Sequence, residues 1–104
     1  MQAVVESPKS VVISPQGYLN ATNALEFERD LSTTLAQNDV SSLSVDLSQV
    51  ESLDSSGLMA LVSALKVAQS LGKGFRLDAV SPAIKIIFEL TQLDQVFQIC
   101  EEKN

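Results

Sequence analysis

Two kinds of hydrophobic pattern alternate along this chain, and that alternation limits the fold more than any other feature. Ser42 to Leu47, "SLSVDL", alternates and then turns apolar, as a buried strand does. From Ser55 to Leu71 the apolar positions Leu58, Leu61, Val62, Leu65 and Ala68 return at helical spacing, with Gly72 where a left-handed C-terminal residue belongs. "GFRLDAV" reads as the next strand. "SPAIKIIFEL" then opens a helix with Ser81 as N-cap and Pro82 in the first turn. In that helix Ile84, Ile87 and Phe88 point inward and Ile86 falls off the stripe. Val96 to Cys100 reads as a last short strand. Strands separated by helices of this length give an α/β layer with a mostly parallel sheet.

The first third of the chain is less regular. Ala3–Glu6 and Val11–Ile13 are β-rich and flank the turn-like "SPKS", which predicts an antiparallel hairpin. Pro15 then marks an edge, a bulge or a break, because proline cannot donate to a ladder. Asn20 or Asn23 can cap a helix running to about Ala36, with Ala24, Phe27, Leu31 and Leu35 on its apolar stripe and Glu26, Glu28, Arg29 and Asp30 toward water. The expectation is one domain over residues 1–104, with a mixed, mostly parallel sheet of four to five strands packed against three to four helices. Hydrophobic residues make up 45% of the 104, enough for a modest single core.

Several functions are disfavoured by what the chain lacks. There is no histidine, which excludes Ser-His-Asp and Cys-His nucleophile chemistry within this chain and removes the commonest zinc ligand. One cysteine, Cys100, forms no internal disulfide and no thiolate metal site, and with no basic neighbour it reads as a plain thiol. A net charge of −6 argues against nucleic acid and against an anionic membrane surface. No 18-residue apolar run and no signal-like start are present, so the chain reads as cytoplasmic. "LGKGF" resembles a glycine-rich loop only superficially, since a helix end accounts for Gly72 and a turn for Gly74. No cofactor and no metal are expected.

One stretch is locally poor and therefore informative. "VESLDSSGLMALVSAL" sets an acid, two serines and a glycine against a strongly patterned helix. The loop "SQVESLDSSG" follows a strand and leads into a helix, the region where sites of α/β sheets lie. A catalytic Ser55 would need a base, and Lys66 is three turns further along. A phosphate cradle would want more glycines and the P-loop lysine, and would not want Asp54 where the anion sits. Two readings remain. In one, Asp54 or Ser55 caps the helix, Ser56 fills the first turn and Gly57 packs closely under a neighbour. In the other, Ser55 receives a phosphate from another protein, and the absent side chain of Gly57 lets that protein's active site approach the hydroxyl.

Four segments in order resemble the STAS domain of bacterial anti-sigma factor antagonists. They are "GYLNATNALEFERDL", similar to the family's Gly-x-Leu-Asp opening; Val45-Asp46-Leu47; the Asp-Ser-Ser/Thr-Gly-Leu motif at Asp54–Leu58; and the tail "LTQLDQVFQI". The resemblance spans nearly the whole chain. It implies a non-enzymatic switch that binds an anti-sigma factor serine kinase and thereby releases a sigma factor. It implies that the kinase phosphorylates the serine after the motif aspartate, here Ser55, and that a phosphatase restores binding. Asp54, Ser56, Gly57, Leu58 and Asn20 fall at motif or contact positions. The chain reads as a monomer on its own. An alternative role within the same family is an accessory subunit of a lipid-transport or stressosome-like assembly. Three departures stand out. Asn20 replaces a frequent aspartate, Gln92 replaces a frequent glycine, and the sequence stops five residues after Ile99, which would shorten the C-terminal helix.

Overall fold

The computed structural model describes residues 9–101. Four parallel strands form the main sheet: β1 (Lys9–Ile13), β3 (Val40–Asp46), β5 (Gly74–Val80) and β6 (Gln98–Glu101), in that spatial order. A separate parallel pair joins β2 (Gly17–Leu19) to β4 (Val50–Leu53). Three helices, α1 (Ala24–Leu35), α2 (Ser55–Ser70) and α3 (Pro82–Leu90), connect the strands, and a single 3₁₀ turn at Leu93–Gln95 precedes β6. This is the expected α/β architecture. All strand pairs among the described residues are parallel. The described partner of β1 is β3; Lys9 and Ser10, expected in a turn, belong to β1 and pair with β3, and the other arm of the expected hairpin, Ala3–Glu6, lies outside the described residues.

Strand register sorts the side chains into two faces. Val11, Leu43 and Phe75 lie side by side, as do Ile13, Val45, Leu77 and Ile99, and these rows face the helices. The intervening rows carry Ser10, Ser42 and Gly74, then Val12, Ser44, Arg76 and Gln98. Parallel sheets are usually apolar on both faces because helices cover both. Here one row is largely hydroxyl and amide, which is why "SLSVDL" alternates instead of running continuously apolar. Ser44 is the buried polar residue of the sheet, and its Oγ accepts from Arg76 Nε at 3.1 Å. Gly74 is the first residue of β5, as the strand reading of "GFRLDAV" has it, and not part of a turn. A Cβ there would meet the Ser42 Cβ at 3.1 Å.

The core lies between this sheet and the helices. Phe27, Leu31 and Leu35 bring α1 onto it, as their spacing predicts, while Glu28 is half-buried instead of facing water. Helix α2 is buried more broadly than its aliphatic stripe suggests. Gly57, Ala60, Ala64 and Ala68 are buried with Leu58 and Leu61, whereas Val62 and Leu65 are only partly covered. Those small residues let α2 lie close to its neighbours while the sheet takes the larger side chains. Ser81 Oγ accepts from Ile84 N at 3.3 Å and Pro82 opens α3, so that start signal forms as read. Ile84 and Phe88 are buried, and Ile86 is exposed. Phe97 packs edge-on against Phe88, with ring centroids 5.5 Å apart, and fixes the approach to β6. Lys73 reaches back to the carbonyls of Leu35 and Gln37, satisfying acceptors left open where α1 ends.

Candidate functional site

The short β2–β4 pair builds the site. Sequence reading treated residues 50–53 as loop, but Val50 and Leu53 are buried, Glu51 and Ser52 are exposed, and the segment forms β4. Its partner β2 has only three residues and lies some thirty positions earlier in the chain, so neither strand shows a sustained pattern alone. The register sets Leu19 beside Leu53. Asn20 and Asp54 are therefore the next residues off the carboxyl ends of adjacent parallel strands. Two of the sequence-nominated positions, distant in the chain, are brought to one end of the molecule.

Asp54 is the N-cap of α2. Its Oδ1 accepts from Ser56 N at 2.9 Å and Gly57 N at 3.1 Å, its carbonyl accepts from Leu58 N at 2.9 Å, and its own N donates to the Leu19 carbonyl at 3.0 Å. Three of its groups are thus committed to holding the helix start, which is the capping half of the sequence reading. Ser55 is the first helical residue and is exposed. Ser56 is half-buried, and Leu58 is a core residue with 8% of its surface exposed. The motif therefore divides its labour. Asp54 caps, Ser55 faces solvent, Gly57 and Leu58 anchor.

Gly57 has a different role from the access role considered from sequence. A Cβ built on it would lie 2.6 Å from the Leu19 carbonyl oxygen and 2.8 Å from the Leu19 Cβ. Glycine is needed because α2 packs directly onto β2. Gly57 is a buried residue of the first turn of α2, packed against its neighbour Leu19 as the capping reading expects.

Asn20 also departs from expectation. Neither its side chain nor that of Asn23 caps α1. Asn20 Oδ1 accepts from Thr22 N at 3.0 Å and from Thr22 Oγ1 at 2.5 Å, closing a local turn. Asn20 N donates to Asn23 Oδ1 at 2.9 Å, and Asn23 Nδ2 donates to the Tyr18 carbonyl at 2.7 Å. The two amides bind the β2–α1 loop to itself and to β2. Tyr18 is 57% exposed beside them.

Next to this end a groove of about 250 Å³ runs between α1 and α2, lined by Ala21, Ala24, Leu25, Ser56, Met59 and Ala60 among others. Leu25 is 70% and Met59 54% exposed. Glu28 stands in its wall, and Asp54 and Glu51 are exposed nearby in the chain. Four of the chain's cations are engaged elsewhere: Lys9 with Asp39, Arg76 with Asp78, Lys85 with Glu101, and Lys73 at the end of α1. Because α2 is continuous, Lys66 lies about 16 Å along the axis from Ser55, out of reach as a base. Among the described residues no group of three or more Cys, Asp or Glu could hold a metal ion, and no helix is long and apolar enough to cross a membrane.

Comparison with known proteins fits this geometry. The STAS domain family profile matches residues 2–103. A Thermotoga maritima protein, provisionally named as an anti-sigma factor antagonist, is 30% identical over 89 residues, covering 86% of this chain and 79% of that protein. The crystal structure of an anti-sigma factor antagonist from Mycobacterium paratuberculosis superposes with a TM-score of 0.73 at 33% identity, covering 93% of this chain and 82% of that one. The phosphorylated form of the Bacillus cell fate determinant SpoIIAA shares the fold, with a TM-score of 0.70 at 20% identity over 97% of this chain and 91% of its own. With its motif residues at the start of α2 and the match running through almost the whole sequence, the chain belongs to the STAS domain family.

Proposed function

We propose that this chain is an anti-sigma factor antagonist that works by partner switching. In its unphosphorylated form it binds a serine-kinase anti-sigma factor and so frees a sigma factor. Phosphorylation of Ser55 ends the complex, and a phosphatase renews it. The observation that carries this reading is the division of the motif: Ser55 is exposed at the first position of α2, while the Asp54 carboxylate is engaged as its cap and Gly57 and Leu58 are buried. Relatives named as anti-sigma factor antagonists support the same role.

The chemistry asks little of this chain beyond presentation. Ser55 Oγ attacks the γ-phosphorus of ATP held by the kinase. The new O–P bond forms as the bond to the β,γ-bridging oxygen breaks, ADP leaves, and the hydroxyl proton passes to a base on the kinase. The product adds a charge of about −1.5 to −2 at a surface that already carries Asp54 and Glu51. A 100-fold loss of affinity needs about 2.7 kcal/mol. Burying such a charge against a partner without a matching cation supplies that much. The groove between α1 and α2, with Leu25 and Met59 on its edges, gives the kinase an apolar surface beside the acceptor.

The test begins by capturing the partner from native lysate on the immobilised chain and identifying it. The purified partner is then incubated with the chain and ATP, and the modified residue is mapped by mass spectrometry. Phosphate on Ser55 is expected. Phosphate on Ser56 alone, or on Thr91, overturns the assignment.

A further inference from the structure

We propose that Gly57 and the Leu19 carbonyl form a clamp that positions the Ser55 hydroxyl for phosphoryl transfer. This rests on the reading of Ser55 as the acceptor and assigns how its pose is set. The Leu19 carbonyl is used twice. It accepts the Asp54 N–H at 3.0 Å, one residue before Ser55, and it lies 2.6 Å from where a Cβ on Gly57, two residues after it, would stand. The backbone on both sides of Ser55 thus meets one carbonyl. The Leu19 side chain is 3% exposed, and its strand is paired to β4 and tied through the Tyr18 carbonyl to Asn23, so the carbonyl has a fixed place. An exposed serine at a helix start would otherwise drift with the fraying of the first turn. Here the first turn is pressed onto a strand.

A methyl group at position 57 cannot be accommodated by a side-chain rotation, because the atoms it meets are backbone and Cβ. The helix start must back away from β2 by roughly half an ångström or more. That movement stretches the Asp54 N–H bond to Leu19 and swings the Ser55 hydroxyl. Misplacement of reacting groups by about 1 Å lowers rates by about 100-fold, so a shift of about half that or more is expected to cost about tenfold or more. Gly57 is thus a positioning residue: its effect on transfer passes entirely through Ser55.

The experiment compares wild type, Gly57→Ala and Val40→Ala as full chains. Val40 is buried at the amino end of β3, away from the site, and serves as a destabilised control. Backbone amide exchange is followed by NMR, and phosphorylation kinetics are measured with the captured and identified kinase and ATP. Gly57→Ala is expected to speed exchange at the Asp54 amide by about tenfold while the core amides of Val45 and Leu61 stay protected. Its kcat is expected to fall by about tenfold or more with KM within about twofold of wild type. Val40→Ala is expected to lower the melting temperature and leave both kcat and Asp54 exchange alone. Wild-type exchange at Asp54 in Gly57→Ala overturns the clamp, as does a wild-type kcat. A rise in KM with kcat unchanged overturns it in favour of an access role for Gly57. If the kinase leaves wild-type Ser55 unmodified, the acceptor reading fails, and the exchange measurement still decides whether the clamp exists.

Discussion

Gln92 has a backbone φ of 61°, in the left-handed region where glycine is at ease and other residues are strained. It stands between α3 and the 3₁₀ turn, at the position where the family resemblance expects glycine. Gln92→Gly is predicted to raise unfolding free energy by about 0.5–1 kcal/mol, the relief of strain less the entropy glycine adds to the unfolded chain. Denaturant unfolding checks this, and Gln92→Ala, which keeps the Cβ, should show no such gain. Asp54 makes the opposite case. Removing its carboxylate by Asp54→Ala leaves the amides of Ser56 and Gly57 without their acceptor and should cost about 1 kcal/mol in the same assay. Asp54→Asn, which keeps an acceptor oxygen, should lose much less.

At the level of elements, the site depends on a sheet of two short strands. Isolated strand pairs of this size are marginal in water. This one persists because Leu19, Val50 and Leu53 are all in the core and because α2 closes over Leu19. In the loop that follows β2 the Asn20 side chain bonds through its Oδ1, to Thr22 N and Thr22 Oγ1, and aspartate offers the same oxygen. Asn20→Asp should therefore keep the melting temperature unchanged, with a stability difference within about 0.5 kcal/mol. A marked change in the rate of Ser55 phosphorylation by that variant would show that the charge at position 20 bears on the kinase directly, beyond holding the loop.

At the scale of the whole molecule, the helices and three of the four main strands were legible in the sequence because each carries its own signal, whereas β1 was legible only over Val11–Ile13, Lys9 and Ser10 having the composition of a turn. Ser81-Pro82 announces α3, Gly72 ends α2, and "GFRLDAV" is bounded on both sides. The site was legible as a position and not as a mechanism. Asp54-Ser55-Ser56-Gly57 identifies the start of a helix, but the reason for Gly57 is the carbonyl of Leu19, thirty-eight residues away, which no local pattern displays. Residues 50–53 hid as a strand because their partner is three residues long and some thirty positions earlier in the chain. Ala60 and Ala64 were missed because small residues carry little weight in a hydrophobic stripe, although burial of α2 depends on them.

The same architecture separates fold from switch. A phosphate at the first residue of α2 lies at the positive end of the helix dipole, where an exposed anion is favourable by about 0.3–1 kcal/mol, with Asp54 offsetting part of that gain. The phosphorylated chain should melt at the same temperature as the free one or slightly above it, as followed by circular dichroism. Binding should respond in the other direction, because the partner must cover the new charge. Calorimetric titration of the identified anti-sigma kinase with wild type, Ser55→Ala and Ser55→Asp tests this most directly. The account predicts wild-type affinity for Ser55→Ala, with no loss on adding ATP, and affinity at least about 100-fold weaker for a fully folded Ser55→Asp. Unchanged affinity in Ser55→Asp, or loss of its fold, would contradict an electrostatic switch at this residue.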